Sequence, residues 1–444
     1  MLAKCLLWQY AKIYRADTWM RHHFTFNGHL LLVVMVAAAV FGVDTKHSNT
    51  YQLFMFLLLL LLLSGLSSRF QRLTVQLKRQ LPRYGTVDEP FIYRINLVSS
   101  HKKDYDNLLL IEQFIQPSPS LAQLQGFYPA KKTGKRLAIP SFNQWRRYLN
   151  YQRGGSLAPV LLPCLSTKPL SINVSFTPVR RGKLIFDTAL LAQPDLLGLY
   201  RRLITVAPSE SCLILPKRYP VKPLAFSGKR KYQAGGISLA SSVGNSQEFM
   251  ALRHYQHGDP LNKIHWKSFA KQGKLIVKEY QDEYFVRRAL LLDTFTESGE
   301  ENLFEAAVSV AASLAMNEQQ NEALLDLMFA GEKTYCFTAG RGVGQLPQLQ
   351  EVLAQVQASS DESLVKLQQA VFARLGQCSS FLCVLLRWDE KRQRFIQQLL
   401  THSLPVAVFL VHEGQKTKPD YANQPPFFYL LNVQQLGQDL AALD

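Results

Sequence analysis

The stretch EFMALRHYQHGDPLNKIHWKSFAKQGKLIVKEY, from Glu248 to Tyr280, decides how the rest of the chain is read. Gly258-Asp259-Pro260 is a turn: Gly admits a left-handed backbone, Asp bonds nearby N–H groups and Pro fixes φ. With Asp259 as N-cap and Pro260 in the first turn, a helix is predicted to Lys271, closed by Gly273. Ile264, Lys267 and Lys271 would share one face and Trp266, Phe269 and Ala270 another. Lys274–Tyr280, apolar in the middle and charged at its ends, reads as a strand.

Downstream, strands and helices alternate. Ala289–Asp293, 323–329, Thr334–Phe337, Phe381–Arg387, Val406–Val411 and Phe427–Leu431 read as strands. Helices are predicted over 301–316, 346–356, 362–375 and 391–400, with a short terminal helix. The alternation predicts a doubly wound α/β domain with a mainly parallel sheet.

Glu248-Phe249, Leu252-Arg253, Tyr255, Gly258-Asp259, Ile264-His265-Trp266-Lys267, Ala270, Leu275-Ile276-Val277 and Lys278-Glu279 resemble the signature of a bacterial family filed as domain of unknown function 58. The resemblance implies an N-terminal membrane hairpin, a β-rich segment and a C-terminal von Willebrand factor A-like domain. It also implies a MoxR-type AAA+ ATPase as partner, and no established reaction. The signature residues Glu248, Arg253, Tyr255, Gly258, Asp259, Trp266, Lys267, Ala270 and Glu279 have two readings. In one, Arg253, Asp259, Lys267 and Glu279 form an internal ion-pair network, with Trp266 and Tyr255 in the core. In the other, the helix docks the ATPase through Lys263, Lys267 and Lys271. Both hold if only the outer face is exposed.

The N-terminal region carries the membrane signal. Phe24–Val43 has no Lys, Arg, Asp or Glu, and Tyr51–Ser68 contains Leu57–Leu63 uninterrupted. Each is near the roughly 20 residues that span a bilayer. A signal peptide fits the first run poorly, because a second follows without a small-residue cleavage site. Lys4, Lys12, Arg15 and Arg21 precede the pair, and Arg69, Arg72, Lys78, Arg79 and Arg83 follow it, so both ends are expected in the cytoplasm. This topology and anionic lipid headgroups absorb much of the net charge of +17. Six scattered cysteines without a CxxC pair suit a reducing compartment.

The 444 residues divide into a cytoplasmic N-terminus (1–23), two transmembrane helices (24–68), a β-rich domain (84–215), a linker (216–245) and the signature block with its α/β domain (246–444). Phe91–Val98, Asn107–Ile115, Leu170–Phe176, Val179–Phe186 and Leu203–Val206 are the strands of a small antiparallel sandwich. Between Lys131 and Arg153, seven basic residues and no acid interleave with Trp145, Tyr148 and Tyr151. Such a segment suits an anionic bilayer surface or an acidic partner better than nucleic acid in a membrane-anchored chain.

Hydrolase and zinc-protease motifs are missing: there is no HExxH and no GxSxG. The loop GRGVG (Gly340–Gly344) lacks the Lys-Ser/Thr of a phosphate-binding loop. The resemblance to von Willebrand A domains implies a divalent ion, such as Mg²⁺, held by D-x-S-x-S and a later Asp. Asp293 stands in the first position and Asp389 in the last, but Phe295 and Glu297 occupy the two serine positions. Thr296, Glu297 and Ser298 are possible substitutes; otherwise Asp293 caps a helix or bonds loop amides. The expected function is a non-enzymatic inner-membrane adaptor that acts with the ATPase on client membrane or envelope complexes. The alternative is a metal-dependent regulator or enzyme at Asp293 and Asp389.

Overall fold

The structure is a computed structural model. It describes residues 2–41, 48–70, 73–99, 104–115, 124, 141–166, 168–222, 231–232, 248–259, 261–281, 284–285, 287–297, 300–320, 324–330, 334–340, 346–359, 364–414 and 424–443. The chain divides into two units, Met1–Leu215 and Pro216–Asp444.

The first unit opens with helices α1 (Leu2–His23), α2 (Phe26–Phe41) and α3 (Ser48–Phe70). Within α3, Asn49–Arg69 is long and apolar enough to cross a membrane. The described part of the apolar helix α2 has 16 residues, about 24 Å at ~1.5 Å per residue, against the roughly 30 Å of a bilayer core. Both helix ends meet the same hairpin. Thr25 N–H donates to the Leu199 carbonyl at 3.1 Å, and Arg202 donates to the Arg69 carbonyl at 3.0 Å.

The strands of this unit are β1 (Val75–Gln80), β2 (Tyr84–Thr86), β3 (Phe91–Ser99), β4 (Leu109–Phe114), β5 (Val160–Leu161), β6 (Leu170–Phe176), β7 (Gly182–Pro194), β8 (Arg201–Ala207) and β9 (Glu210–Leu215). One sheet has the order β1-β3-β6; the other runs β2-β9-β7-β4-β5, with β8 beside β7. One apolar cluster is shared by both sheets, because alternate residues of each strand face inward. Phe91, Phe114, Phe176 and Phe186 interlock there at centroid distances of 5.1 to 6.3 Å. Arg79 departs from the sequence expectation. It takes an inward position of β1 and pairs with Glu112 of β4 at 2.8 Å, both side chains fully buried. It therefore contributes nothing to lipid attraction.

The predicted basic–aromatic surface is corrected at Trp145 and Tyr148. Residues 131–140 lie outside those described, and 142–152 form helix α4, opened by a Ser141–Gln144 capping box. Trp145 and Tyr148 are buried against Leu7, Tyr10, Ala11 and Tyr14 of α1. Helical spacing puts these aromatics on one face, so they pack instead of stacking on bases or lipids.

The second unit contains β10 (Lys231–Tyr232), β11 (Glu248–His254), β12 (Ile276–Gln281), β13 (Tyr284–Phe285), β14 (Arg287–Leu292), β15 (Leu324–Ala330), β16 (Thr334–Ala339), β17 (Ser380–Leu385), β18 (Val406–His412) and β19 (Phe427–Asn432). Its helices are α5 (Trp266–Gln272), α6 (Glu301–Gln320), α7 (Leu346–Gln355), α8 (Leu364–Arg374), α9 (Glu390–Thr401) and α10 (Leu436–Ala441). Six strands form one sheet in the order β16-β15-β14-β17-β18-β19. All neighbours are parallel except the edge pair β15/β16. Every residue of β15 and β17 is buried, as in a sheet covered on both faces. Leu290, Leu327, Leu382 and Phe409 face α6, α7 and α10, while Leu291, Met328, Cys383 and Val408 face α8 and α9. The start of the predicted linker belongs to this unit: Tyr219 and Val221 pack on the core, and Tyr219 N–H donates to Ser313 Oγ at 2.9 Å.

Candidate functional site

The chain leaves the centre of the six-stranded sheet in opposite directions from β14 and β17. A crevice therefore opens beyond their carboxyl ends, the usual ligand position in such sheets. Asp293 follows β14 immediately and is almost fully buried. Its Oδ1 accepts the Phe295 N–H at 3.1 Å and its Oδ2 the Leu386 N–H at 3.3 Å. Oδ2 also accepts Arg392 Nε at 2.7 Å. Asp389 is the N-cap of α9: its carboxylate accepts the Arg392 N–H at 2.9 Å and also bonds the Arg392 guanidinium. Asp293 and Asp389 are thus brought together, and what joins them is one guanidinium. Burial pushes the Arg392 guanidinium down, but the Asp293 and Asp389 carboxylates together outweigh it and hold the group above its ordinary range.

A second arginine adds to the cluster. Arg387 binds Glu297, and its Nη2 donates to Glu300 Oε2 at 2.6 Å. The loop after β14 is laced to Ser359, whose N–H donates to the Thr294 carbonyl at 2.8 Å and whose carbonyl accepts from Thr296 N–H at 3.1 Å. Thr296, Glu297, Ser359, Arg387, Asp389 and Arg392 line a cavity of about 390 Å³. A divalent ion does not fit between Asp293 and Asp389 while Arg392 is docked. The guanidinium occupies an oxygen of each carboxylate, the Phe295 side chain offers none, and a hard cation wants about six. Among the described residues no three His, Cys, Asp or Glu side chains are gathered as for a metal. Ser298 lies outside the described residues.

Sequence reasoning missed Arg392, Arg387 and Glu300. One signal was available. Lys391 and Arg392 stand in the first turn of a helix, where the macrodipole disfavours cations unless a specific acid holds them.

The signature block is a separate small structure. β11 and β12 pair antiparallel, with a register shift between Phe249 and Ala251. In place of a single helix from Pro260 there is a 3-10 turn at Leu261–Lys263, then α5 from Trp266. The break has a cause: buried Ile264 bridges Val277, and His265 N–H donates to the Ile276 carbonyl at 2.8 Å. Gly273 ends the helix in the left-handed region, φ 65°. Asp259 is not an N-cap. Its two oxygens bind Arg253 Nη1 and Nη2, each at 2.7 Å, and Oδ2 accepts the Gln256 N–H at 2.8 Å. Gly258, at φ 106°, supplies the turn. The Arg253 guanidinium holds the Asp259 carboxyl well below its ordinary range, at about 2.

Trp266 does not enter the core. It is 60% exposed and meets Phe269 edge-to-face at 6.0 Å. Lys267, Ala270 and Lys271 are exposed beside it, and Tyr255 is half-buried, its N–H donating to the Leu275 carbonyl at 3.0 Å. Glu248 and Glu279 lie on the paired strands, and their side chains lie outside the described residues.

Two solved structures that the chain resembles do so only weakly. The CARDB domain of a Pyrococcus furiosus protein, crystallised with di-metal ions, covers 33% of this chain and 96% of that domain at 7% identity and a TM-score of 0.19. An exo-β-N-acetylglucosaminidase from Vibrio harveyi covers 77% of this chain and 57% of that enzyme at 8% identity and a TM-score of 0.15. Neither carries an argument. The uncharacterized protein YeaD of Bacillus subtilis is 24% identical over 192 residues. That match takes in 43% of this chain and 46% of YeaD, so the chain covers less than half of the relative's length. Residues 251–374, which hold most of the signature ribbon and Asp293, match the family described as protein of unknown function DUF58.

Proposed function

We propose that the protein is a non-enzymatic, membrane-anchored adaptor whose signature ribbon docks a MoxR-type AAA+ ATPase. One observation carries this reading: Trp266 and Phe269 stand exposed on a short helix, flanked by Lys267 and Lys271. Exposed paired aromatics are the composition of an interface centre, and the lysines beside them suit its polar rim. Arg253 and Asp259 brace the turn that leads into the helix, so the surface is prearranged.

The remaining parts support the same reading. The six-stranded sheet with one antiparallel edge agrees with a von Willebrand A-like domain, and Arg392 fills the place where a metal would sit. α2 and α3 would form a hairpin in the bacterial inner membrane with both units in the cytoplasm. The meeting of the start of α2 and the end of α3 on one β-hairpin supports this. Clients would be membrane or envelope complexes.

The test is co-purification of the solubilised full-length chain with the MoxR-type ATPase of its own organism, with and without ATP and Mg²⁺. Wild type is expected to retain the ATPase, and Trp266→Ala and Lys267→Glu to lose it with unchanged melting. No retention under any nucleotide condition would overturn the reading. The second reading, a metal-dependent regulator or enzyme at Asp293 and Asp389, rests on the cavity that Asp389 lines together with Glu297 and Glu390. It requires Arg392 to leave both carboxylates when the ion binds.

A further inference from the structure

The turn between β7 and β8 is built in an unusual way. Asp195 is buried, and its carboxylate accepts the N–H groups of Leu197 at 3.2 Å, Leu199 at 2.7 Å and Tyr200 at 2.9 Å. Gly198, at φ 66°, completes the turn. This network fixes the backbone and pushes the side chains at the tip outward. Those side chains are leucines: Leu196 is 85% exposed and Leu197 48%. Hairpin tips are ordinarily polar, because apolar groups there gain nothing from the core.

The tip lies at the root of the apolar helices. Thr25 Oγ1 donates to the Gly198 carbonyl at 2.5 Å, and Phe24 bridges Tyr200. At Gly28 a Cβ would lie 2.1 Å from the Leu199 carbonyl oxygen, so this close approach needs glycine. Aromatic rings surround the root. Phe24 meets Tyr200 at 5.5 Å and Trp19 at 5.9 Å, and Trp19 is half exposed. Cations stand beside them: Arg201 donates to the Phe24 carbonyl and Arg202 to carbonyls at the end of α3. Rings at the headgroup level with basic residues on one side mark a membrane–water interface.

We propose that the Leu196–Leu197 tip is a wedge seated in the headgroup and upper acyl region of an anionic bilayer, with Trp19, Phe24 and Tyr200 as its interfacial ring. This rests on the reading that α3 crosses that bilayer. The occupant is lipid and not protein, because the patch continues directly into helices whose outer faces are apolar, such as Leu59, Leu62 and Leu66 of α3. The wedge would hold the β-rich unit flush against the membrane.

The test uses the full-length chain in nanodiscs of phosphatidylglycerol and phosphatidylcholine. The exposed Cys5 and Cys164 are changed to Ser, and one fluorophore is placed at Leu196→Cys, Leu59→Cys or Lys168→Cys. Quenchers are a headgroup-level nitroxide lipid, a deep nitroxide lipid and aqueous iodide. The Leu196 label is expected to be quenched several-fold more by the shallow lipid than the Lys168 label, and the Leu59 label by the deep lipid. A Leu196 label as open to iodide as the Lys168 label, with Leu59 still deep, would overturn the wedge and leave the membrane span standing. A Leu59 label open to iodide would overturn both. Protection of Leu196 that grows with protein concentration in detergent would assign the tip to a second copy and overturn the lipid assignment.

Discussion

Replacing Arg392 with methionine isolates the energetics of the sheet-edge site. Asp293 has no solvent-exposed side-chain surface, so the variant leaves a buried carboxylate with two backbone N–H partners and no counter-ion. Removing one member of a buried pair costs about 3–5 kcal/mol. The two amides that remain argue for the lower end. The Asp389 contact adds less, since that carboxylate is 41% exposed and solvent-screened pairs are worth about 0–1 kcal/mol. For a unit of this size, each kcal/mol moves the melting temperature by about 2–4 °C, so about 3 kcal/mol lowers it by ~6–12 °C. Thermal unfolding of the solubilised full-length chain at neutral pH reads this directly. The double variant Asp293→Asn/Arg392→Met removes both charges and is expected to recover most of the loss. Millimolar Mg²⁺ is expected to leave the wild-type melt unchanged. A shift below 2 °C in Arg392→Met, or a double variant no better than the single, would refute the idea that the guanidinium is held by a buried charge. A saturable Mg²⁺ stabilisation of wild type would show that the ion displaces Arg392, and would favour the metal-dependent reading.

Arg79→Met strands buried Glu112 and is expected to cost about 3–5 kcal/mol, whereas Arg79→Met/Glu112→Met is near neutral; urea unfolding distinguishes the two. The Asp259 carboxyl is depressed from 3.8 to about 2 by Arg253, so its contribution is complete above pH 4 and is lost as pH falls toward 2. Hydrogen exchange in Leu252–Leu275 of wild type should rise across that window, and in Arg253→Gln it should be raised already at neutral pH. Trp266→Ala changes stability by no more than about 0.5 kcal/mol because the ring is exposed, and a larger loss in the melt would return Trp266 to the core. Burial pushes the Cys212 thiol up to about 11, so native maleimide labelling at neutral pH marks Cys5 and Cys164 first and Cys212 only on unfolding, as mass spectrometry would show.

The α/β unit was legible because its strands are short, mostly apolar and separated by amphipathic helices, so periodicity locates most elements. Val406–Val411 and the helix over 391–400 show this plainly, matching β18 and α9 to within a residue or two. The β-rich unit was harder. β1 alternates inward and outward, but its inward Arg79 reads as a solvated charge until Glu112 is seen across the core. The basic–aromatic segment misled for a related reason: which face of an amphipathic helix is covered depends on α1, more than a hundred residues earlier. In the signature block, Gly273 as helix stop and the start of β12 followed from local chemistry. Asp259 did not, because an N-cap and a bidentate partner for Arg253 ask the same of the sequence, and only the Ile264–Val277 bridge decides between them. The pairing of Asp293 with Arg392 joins residues 99 apart and had no local signature beyond cations at a helix start.

The measurement that bears most directly on the adaptor reading is hydrogen exchange of the full-length chain with and without its MoxR-type ATPase and ATP. Slowed exchange across Leu252–Leu275, lost in Trp266→Ala, is the expected result. An unchanged pattern there, or protection confined to the loops around Asp293 and Asp389, would contradict it.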